Sequence, residues 1–322
     1  AIGAELPVSV SAATINKVCA SGMKAVMNAC DSLTLGRAEV AIAGGMESMT
    51  NAPYLMTQGR GGYRFGDATI HDHMTLDGLE DAYTKEAMGL FAEATCTKYD
   101  FTREEQDNFA ITSLQRAKKA ISDGKFDSEI TPFTVKNRRG DTTYEVDEQP
   151  GKGNVEKIPK LRPAFKKDGS VTAANSSSIS DGAAAVVLTR LSEAKNLGLK
   201  PLAKISKYVS NSHEPEWFTT APVGAIQKLL KALDWSKDDV DLYEINEAFA
   251  VVPMAAMKDL DLSHEKVNVH GGACALGHPI GASGARIVVT LLASMQLYDK
   301  KKGVAAICIG GGEALAIALE LL

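Results

Sequence analysis

The chain has 322 residues, enough for two domains or two halves of one body, and its composition of 45% hydrophobic and 23% charged residues is typical of globular proteins. Its formal net charge is −5 and its pI is about 5.8, which argues against a nucleic-acid partner because nucleic-acid-binding faces are basic. No apolar run in the sequence reaches about 18 residues, so we expect no membrane-spanning segment.

Hydrophobic periodicity predicts helices and strands that alternate along the chain. In the first half the predicted elements are a helix over 21–35, a buried strand over 38–43 that ends at Gly44-Gly45, a loop-rich insertion over about 50–100, a long helix that starts with a Thr102–Glu105 capping box, and exposed loops with an edge ribbon over 137–170. In the second half they are strands over 183–188 and 203–209, a helix over 221–233, a strand over 241–245, a helix over 248–260, a short strand over 267–269, a helix over 281–296, and strands over 304–309 and 314–319. This alternation predicts an α/β fold whose sheets are covered on both faces.

One unit occurs twice in the sequence: Ala-Ser-Gly, then an apolar helix, then a strand, then Gly-Gly-x-Glu. The first copy runs from Ala20 to Glu47 and the second from Ala282 to Glu313. Two matches in the same order predict two similar α/β halves around a pseudo-two-fold axis. Such a duplication brings the two equivalent helix N-termini together near the middle of the molecule.

The five cysteines are odd in number and scattered, and no C-x-x-C pair occurs. This usage argues against a disulfide framework or a zinc site and predicts a reducing compartment. By default each cysteine is a small buried apolar residue, so a chemical role has to come from its context. The cysteines are Cys19, Cys30, Cys96, Cys274 and Cys308.

Cys19 stands where the first repeated helix begins. Backbone N–H groups and the macrodipole at a helix N-terminus favour an anion, so we expect a lowered pKa for this thiol. A thiolate there would suit covalent acyl transfer. The alternative is a buried cysteine that packs under the helix.

Three further residues are candidates for proton transfer or carbonyl polarisation. His278 lies in a Gly/Pro-rich turn and is either a base toward a neighbouring thiol or a turn residue that makes one capping hydrogen bond. Cys308 precedes three glycines at the end of an apolar strand, so a proton shuttle and a core cysteine are both open. Asn246 ends a strand at the mouth of a helix, where α/β proteins place ligands, and its alternative role is that of an N-cap.

The sequence resembles the thiolase family, and within it the short-chain acetyl-CoA acetyltransferases. The resemblance covers the whole chain and is carried, in family order, by NKVCASGMKAV, AGGMESMTNAPY, TAANSSSISDGAAA, NEAFA, GHPIGASGARI and CIGGGEA. It implies a thiolase fold of two similar α/β halves in a layered α-β-α-β-α arrangement, with the first half at 1–198, an inserted loop domain at about 51–171, and the second half at 199–322. The family's first strands and helix precede the segment that begins at Ala1, so we expect the natural chain to begin earlier.

The resemblance implies a role for each of the four candidates. Cys19 matches the nucleophile that becomes acetylated, and His278 matches the base that deprotonates it. Cys308 matches the acid/base that takes a proton from the methyl group of the second acetyl-CoA. Asn246 matches the residue that holds a catalytic water, and that water with His278 forms one oxyanion hole. The backbone N–H groups of Cys19 and Gly311 form the other.

Coenzyme A thioesters are implied as substrates, and no permanently bound cofactor or metal is expected. The positions that match the family's contacts are Ser177 near the pantetheine, Ala248 and Phe249 along the channel, Met88 near the acyl group, and Lys152 and Lys157 around the adenosine phosphates, Lys157 having as its alternative a solvated surface lysine.

Three positions depart from the family's pattern. Short-chain members commonly have His where this chain has Ala87, which leaves the acyl-chain selectivity open. His270 stands where many relatives have Asn, and we assign it no role. Potassium-responsive members carry Tyr where this chain has Leu114, so we predict no strong activation by potassium.

Together these implications predict an enzyme that condenses two acetyl-CoA to acetoacetyl-CoA and CoA, reversibly, by a ping-pong mechanism through an acetyl-cysteine. The alternatives are a degradative thiolase that cleaves longer 3-ketoacyl-CoA, and a thiolase-like acyl or lipid carrier without turnover. The resemblance further implies a homotetramer with neither a nucleic-acid nor a membrane partner. Its location would be the cytoplasm of a bacterium or the mitochondrial matrix of a eukaryote.

Overall fold

The computed structural model of the chain describes residues 1–138 and 140–322. Residue 139, which falls within the predicted loop segment 137–170, lies outside the described residues. The α-helices are α1 (Ser21–Thr34), α2 (Met88–Tyr99), α3 (Arg103–Ser122), α4 (Gln149–Lys152), α5 (Leu191–Asn196), α6 (Ala221–Leu233), α7 (Val251–Leu260), α8 (Ala273–Leu276) and α9 (Ile280–Leu297). The strands are β1 (Val40–Ser48), β2 (Tyr54–Leu55), β3 (His71–Asp72), β4 (Phe133–Val135), β5 (Thr142–Tyr144), β6 (Asp181–Thr189), β7 (Ala203–Ser212), β8 (Leu242–Ile245), β9 (Lys302–Ile309) and β10 (Glu313–Leu321).

The larger sheet has four strands in the order β7-β10-β9-β8. Strands β8 and β9 are parallel, and the other neighbours are antiparallel. Strands β9 and β10 are buried along most of their length, because one sheet face packs against α6 and α7 and the other against α1 and α9. This sheet therefore has the two covered faces that its continuous apolar runs predict.

The smaller sheet pairs β1 with β6 in antiparallel register, with Gly44 opposite Ala185. Its inner face packs on α1 and α9, which also pack on the larger sheet, so the layers stack as α6 and α7, larger sheet, α1 and α9, smaller sheet. Its outer face carries exposed apolar side chains: Ile42 is 57% exposed, Met46 82% and Val187 66%. The prediction that every sheet is covered on both faces is therefore wrong for the smaller sheet within the residues that the structure describes.

Helices α1 and α9 cross at very short range. A Cβ on Gly22 would lie 2.7 Å from the nitrogen of Ala285, and a Cβ on Gly284 would lie 2.6 Å from the nitrogen of Met23. Both helices start from a copy of Ala-Ser-Gly, and the glycine of each copy lies at the crossing. The structure thus has the predicted meeting of the two helix starts at its centre.

Strand β1 continues through Gly44-Gly45 to Ser48, so the prediction that it ends at these glycines is wrong. A Cβ on Gly45 would lie 2.9 Å from the Cα of Ala282 in α9. The glycines therefore allow the central helix to approach the strand instead of ending it.

Helix α2 falls inside the stretch that the sequence predicts to be loop-rich. Its buried residues include the polar Glu93 and Thr95 as well as Phe91, so its sequence shows no one-sided apolar pattern. Helix α3, by contrast, begins at the predicted capping box, in which Thr102 and Glu105 exchange both hydrogen bonds. The β4–β5 pair forms a separate two-stranded sheet, and only β5 lies within the segment 137–170 in which the edge ribbon is predicted.

No strand forms over the predicted 267–269, all of which the structure describes. Val267 makes a single bridge to Tyr243, and Asn268 has a φ of 49°. The side chain of Asn268 instead pairs with Ile245, accepting from its N–H and donating to its carbonyl, both at 2.8 Å. A side-chain amide therefore replaces the expected strand pairing.

Helix α9 is long and apolar enough, by length and composition, to cross a membrane. Its sequence is not an unbroken apolar run, because Arg286 lies within it. In the structure 72% of the helix is buried inside the fold, where it packs between the two sheets. These are the properties of a core helix.

Candidate active site

Cys19 lies in the 3₁₀ turn Val18–Ala20 that directly precedes α1. Val18 has a φ of 48°, a left-handed conformation that β-branched residues rarely adopt. Ser21 holds the turn, since its Oγ accepts from the N–H of Lys17 and donates to the carbonyl of Val18, each at 2.8 Å. Strained backbone held by its surroundings is typical of functional sites, and here it fixes the position of the thiol.

Burial raises the pKa of the Cys19 thiol to about 11, and the charge of Glu47 adds to the increase. A hydrogen bond from the backbone of Gly310 acts in the opposite direction. The expectation that the helix start lowers this pKa is therefore wrong, because removal from water outweighs the backbone donors. A thiol with a raised pKa needs a base to become a nucleophile.

Cys308 lies near the end of β9, just before the hairpin loop Gly310–Gly312. Gly311 and Gly312 have φ values of 100° and 89°, which glycine adopts without strain. Cys308 is fully buried. Burial raises the pKa of its thiol well above the usual range, and the charge of Cys19 raises it further. The two thiols therefore lie close enough to influence each other.

His278 lies two residues before α9 and is held by one side chain of that helix. Its Nδ1 lies 2.5 Å from the Oγ of Ser283, which itself donates to the carbonyl of Pro279 at 3.0 Å. Its Nε2 is buried and has no partner among the residues that the structure describes. Burial and the positive charge of Arg286 lower the pKa of His278 to about 3, so the imidazole is neutral at neutral pH.

Asn246 directly follows β8 and is completely buried. Its main-chain N–H donates to the carbonyl of Ala306 at 3.0 Å, which continues the parallel pairing of β8 with β9. Within the described part of the chain, neither its Oδ1 nor its Nδ2 has a partner. Burying an unpaired amide costs free energy, so this side chain is suited to a polar ligand.

The fold brings these groups to one region. Asn246 follows the end of β8, and Cys308 lies near the same end of the parallel neighbouring strand β9, where α/β folds place ligands. The turn of Cys19 meets α9 at Gly284, where a Cβ would lie 3.3 Å from the carbonyl carbon of the residue that precedes α1. The hydrogen bond from the backbone of Gly310 to Cys19 joins that turn to the β9–β10 hairpin.

Ser177, predicted near the pantetheine, lies together with Ala248 and Phe249, which are predicted along the channel. Ser177 donates to the carbonyl of Ala248 with both its N–H, at 3.0 Å, and its Oγ, at 2.9 Å. Phe249 packs edge-on against Phe165 and Phe218, with ring centroids 6.0 and 6.5 Å apart. The resulting strip of residues leads from the insertion to Asn246.

Met88 opens α2 beside the hairpin loop. A Cβ on Gly310 would lie 3.2 Å from its Cε, so the thioether contacts the loop that follows Cys308. Its predicted place near the acyl group is compatible with this position.

Lys152 and Lys157 lie on the surface of the insertion. Lys152 forms an ion pair with Glu148 one helical turn away, and Lys157 is exposed within the turn Val155–Lys160. Their contact with phosphates stays a prediction.

His270 is buried away from the reactive groups, and both of its ring nitrogens have partners. Nε2 lies 3.1 Å from the hydroxyl of Tyr298, and Nδ1 lies 3.2 Å from the Oγ of Ser294. Leu114 lies in a small apolar cluster that joins the insertion to α8. His270 therefore has a structural role, and the effect of Leu114 on potassium dependence stays a prediction.

Sequence reasoning gave no role to three residues that the structure places beside the reactive groups. The serine of each Ala-Ser-Gly copy holds one reactive turn: Ser21 holds that of Cys19, and Ser283 holds His278. The repeat itself was the signal that could have identified them. Glu247, next to Asn246, carries no comparable signal in the sequence.

Comparison with known proteins gives a consistent assignment. The family models "Thiolase, N-terminal domain" and "Thiolase, C-terminal domain" match residues 1–192 and 199–321. The acetyl-CoA acetyltransferase of Pseudomonas aeruginosa is 50% identical over 321 residues, which are 99% of this chain and 82% of the relative. The crystal structure of the acetyl-CoA acetyltransferase from Bacillus anthracis matches with a TM-score of 0.96 and 44% identity, over 100% of this chain and 82% of the other. A thiolase from Ascaris suum in complex with coenzyme A matches with a TM-score of 0.93 and 44% identity, at the same coverage.

These structural matches confirm the predicted α/β fold, and the two domain matches together span nearly the whole sequence. The chain belongs to the thiolase family.

Proposed function

We propose that the chain is an acetyl-CoA C-acetyltransferase, which condenses two acetyl-CoA to acetoacetyl-CoA and CoA and catalyses the reverse thiolysis. The observation that supports this most is the placement of Asn246 and Cys308 toward the same ends of the neighbouring strands β8 and β9, together with the packing of the Cys19 turn against the start of α9, just after His278. A carrier without turnover moves no protons and needs no such set. The acetyl-CoA acetyltransferases among the relatives support the same reaction.

In the first half-reaction Nε2 of His278 takes the proton of Cys19. The sulfur then attacks the carbonyl carbon of acetyl-CoA. The N–H groups of Cys19 and Gly311 stabilise the developing oxyanion, a contribution of about 100-fold or more for one such donor. The bond to the CoA sulfur breaks, and Cys308 gives its proton to that sulfur. The products are acetyl-Cys19, an imidazolium at His278, a thiolate at Cys308 and free CoA.

In the second half-reaction Cys308 removes a proton from the methyl group of a second acetyl-CoA. The enolate oxygen is stabilised by His278 and by a water held by Asn246. The enolate carbon attacks acetyl-Cys19 and forms the new carbon–carbon bond. Acetoacetyl-CoA leaves, and the Cys19 sulfur regains its proton from His278. All three groups are back in their initial protonation states.

The order of the two steps follows from the proton transfers. Cys308 gives its proton to the leaving CoA sulfur in the first half-reaction, and the resulting thiolate is the base that the second half-reaction needs. The methyl proton is therefore removed only once Cys19 carries the acetyl group.

For coenzyme A, we propose that the pantetheine lies along Ser177, Ala248 and Phe249. The strip that these residues form is continuous with Asn246 and supports this placement. Lys157, which is exposed, and Lys152 would attract the phosphates from the surface of the insertion.

The proposal is tested by incubating the purified protein with acetyl-CoA and measuring its intact mass. We expect one acetyl group per chain, located on Cys19 by peptide mapping, and acetoacetyl-CoA in the supernatant. Acetyl label on another residue, or label without any acetoacetyl-CoA, would contradict it. Faster cleavage of a long-chain 3-ketoacyl-CoA than of acetoacetyl-CoA would instead support a degradative thiolase.

A further inference from the structure

Glu247 is a fully buried carboxyl group next to Asn246, and the mechanism above does not use it. Its Oε1 accepts from the Nδ2 of Asn268 at 2.8 Å. Its Oε2 accepts from the Oγ of Ser113 at 2.7 Å and from the N–H of Cys274 at 3.0 Å. All three of these donors are neutral, so the carboxylate is held by hydrogen bonds and not by a contacting cation.

On one side this network fixes the end of β8. Asn268, which donates to Glu247, also pairs with both the N–H and the carbonyl of Ile245. Ile245 is the last residue of β8 and is followed by Asn246. The carboxylate therefore stabilises the main chain on both sides of Asn246.

On the other side the network fixes the segment that leads to His278. Ser113 of α3 accepts from the N–H of Gly272 at 3.0 Å while it donates to the carboxylate. Cys274 lies in α8, which ends just before Gly277 and His278. The carboxylate thus joins the segment of Asn246 to the segment of His278.

We propose that Glu247 is a positioning residue that sets the geometry between Asn246 and His278. This inference rests on the proposed function, in which the water of Asn246 and the imidazole of His278 share the enolate oxygen. Glu247 does not touch the substrate in this account. It acts through the two segments that it connects. It makes the oxyanion hole formed by His278 and the water of Asn246 rigid before substrate binds.

The three groups that contact the side chain of Glu247 are all hydrogen-bond donors. A glutamine at Glu247 would turn its NH₂ either toward the Nδ2 of Asn268 or toward the donors of Ser113 and Cys274. Rotating the amide of Asn268 would break both of its bonds to the end of β8. The substitution therefore leaves buried donors facing each other and displaces the two segments.

Glu93 offers a matched control. It is also buried, at 7% exposure, and its carboxylate accepts from the N–H groups of Ser170 and Val171 at 2.8 to 3.0 Å. It lies on α2 and is bonded to neither Asn246 nor His278. E93Q and E247Q thus make the same chemical change in two similar networks, only one of which joins the catalytic segments.

The experiment measures kcat and KM for acetoacetyl-CoA thiolysis, together with the thermal midpoint, for wild type, E247Q and E93Q. We expect both variants to lose stability, and only E247Q to lose about 100-fold in kcat, with KM for CoA changed less than about threefold. Should E247Q fail to fold, Ser113→Ala tests the positioning role instead, because it removes one donor to Glu247. We expect this variant to lose about 10-fold in kcat at unchanged KM.

Equal losses of kcat in E247Q and E93Q would overturn the positioning role, as would an E247Q enzyme with wild-type kcat. These outcomes are distinct from failure of the proposed function, in which the wild-type protein itself would not cleave acetoacetyl-CoA.

Discussion

The Oγ of Ser283 lies 2.5 Å from the Nδ1 of His278, and this contact fixes the tautomer of the imidazole. The hydroxyl has one proton, which it donates to the carbonyl of Pro279. Its oxygen must therefore accept from an N–H at Nδ1. The unprotonated nitrogen is then Nε2, the buried atom that the proposed mechanism uses as a base.

Replacing Ser283 with alanine removes this constraint. We expect kcat of the S283A variant to fall by about 10-fold or more, since a correctly protonated general base contributes about 100- to 10,000-fold. The measurement is steady-state thiolysis of acetoacetyl-CoA. Ser294→Ala is the matched control, because Ser294 also lies on α9 and contacts the Nδ1 of a histidine, His270, away from the reactive groups. A loss of the same size in S294A would show that the effect is structural.

The two reactive thiols should have separable roles. We expect Cys19→Ser to abolish acetylation by acetyl-CoA, and Cys308→Ser to retain it while losing the condensation step by more than about 100-fold, since Cys308 removes the α-proton. Rapid-quench mass analysis of the acetylated chain measures the first step and release of acetoacetyl-CoA the second. Equal loss of acetylation in both variants would contradict this division.

Alkylation of Cys19 should depend strongly on pH. Burial raises the pKa of this thiol to about 11, and only the thiolate reacts, so the rate of labelling by iodoacetamide should rise about tenfold per pH unit between about pH 7 and 10. Peptide mapping of Cys19, with and without acetyl-CoA as a protecting ligand, gives the rate. A rate that is already maximal near pH 7 would show that the thiol is ionised at neutrality.

Buried neutral histidines should make the fold sensitive to acid. Burial lowers the pKa of His270 to about 4, whereas an unfolded chain takes up this proton near pH 6.5. Between these values the unfolded state binds more protons, so the free energy of unfolding decreases as the pH falls. From pH 7 to pH 5 the free energy of unfolding should decrease in both proteins. We expect the decrease to be smaller in His270→Asn than in wild type, by on the order of 1–2 kcal/mol, as measured by urea unfolding. The same decrease in the free energy of unfolding for the two proteins would contradict this role of His270.

Much of the fold follows from patterns that the sequence displays locally. The capping box of Thr102 and Glu105 and the apolar runs of β9 and β10 have local causes, so their elements form where predicted. Helix α2 has no such cause, since its buried face includes Glu93 and Thr95, which are satisfied by contacts elsewhere in the chain. Its existence depends on tertiary packing, which a window of sequence does not contain.

The four reactive residues could be identified from the sequence, but their electrostatics could not. The helix start at Cys19 predicts a lowered pKa, yet elements from the distant second half of the chain pack around this half-buried residue and remove its thiol from water. The roles of Ser283 and Glu247 could not be predicted either, because their hydrogen-bond partners are known only from the folded structure. Local motifs identify reactive groups, whereas desolvation depends on the assembled molecule.

The close crossing of α1 and α9 at their glycines sets the distance between the two halves, and with it the distance between the reactive groups that each half carries. The nucleophile comes from one half and the other three reactive groups from the second, so neither half alone holds a complete reaction centre. A single methyl group added at Gly22 or Gly284 would wedge the central helices apart. Such a change would separate thiol from imidazole without altering any atom that reacts.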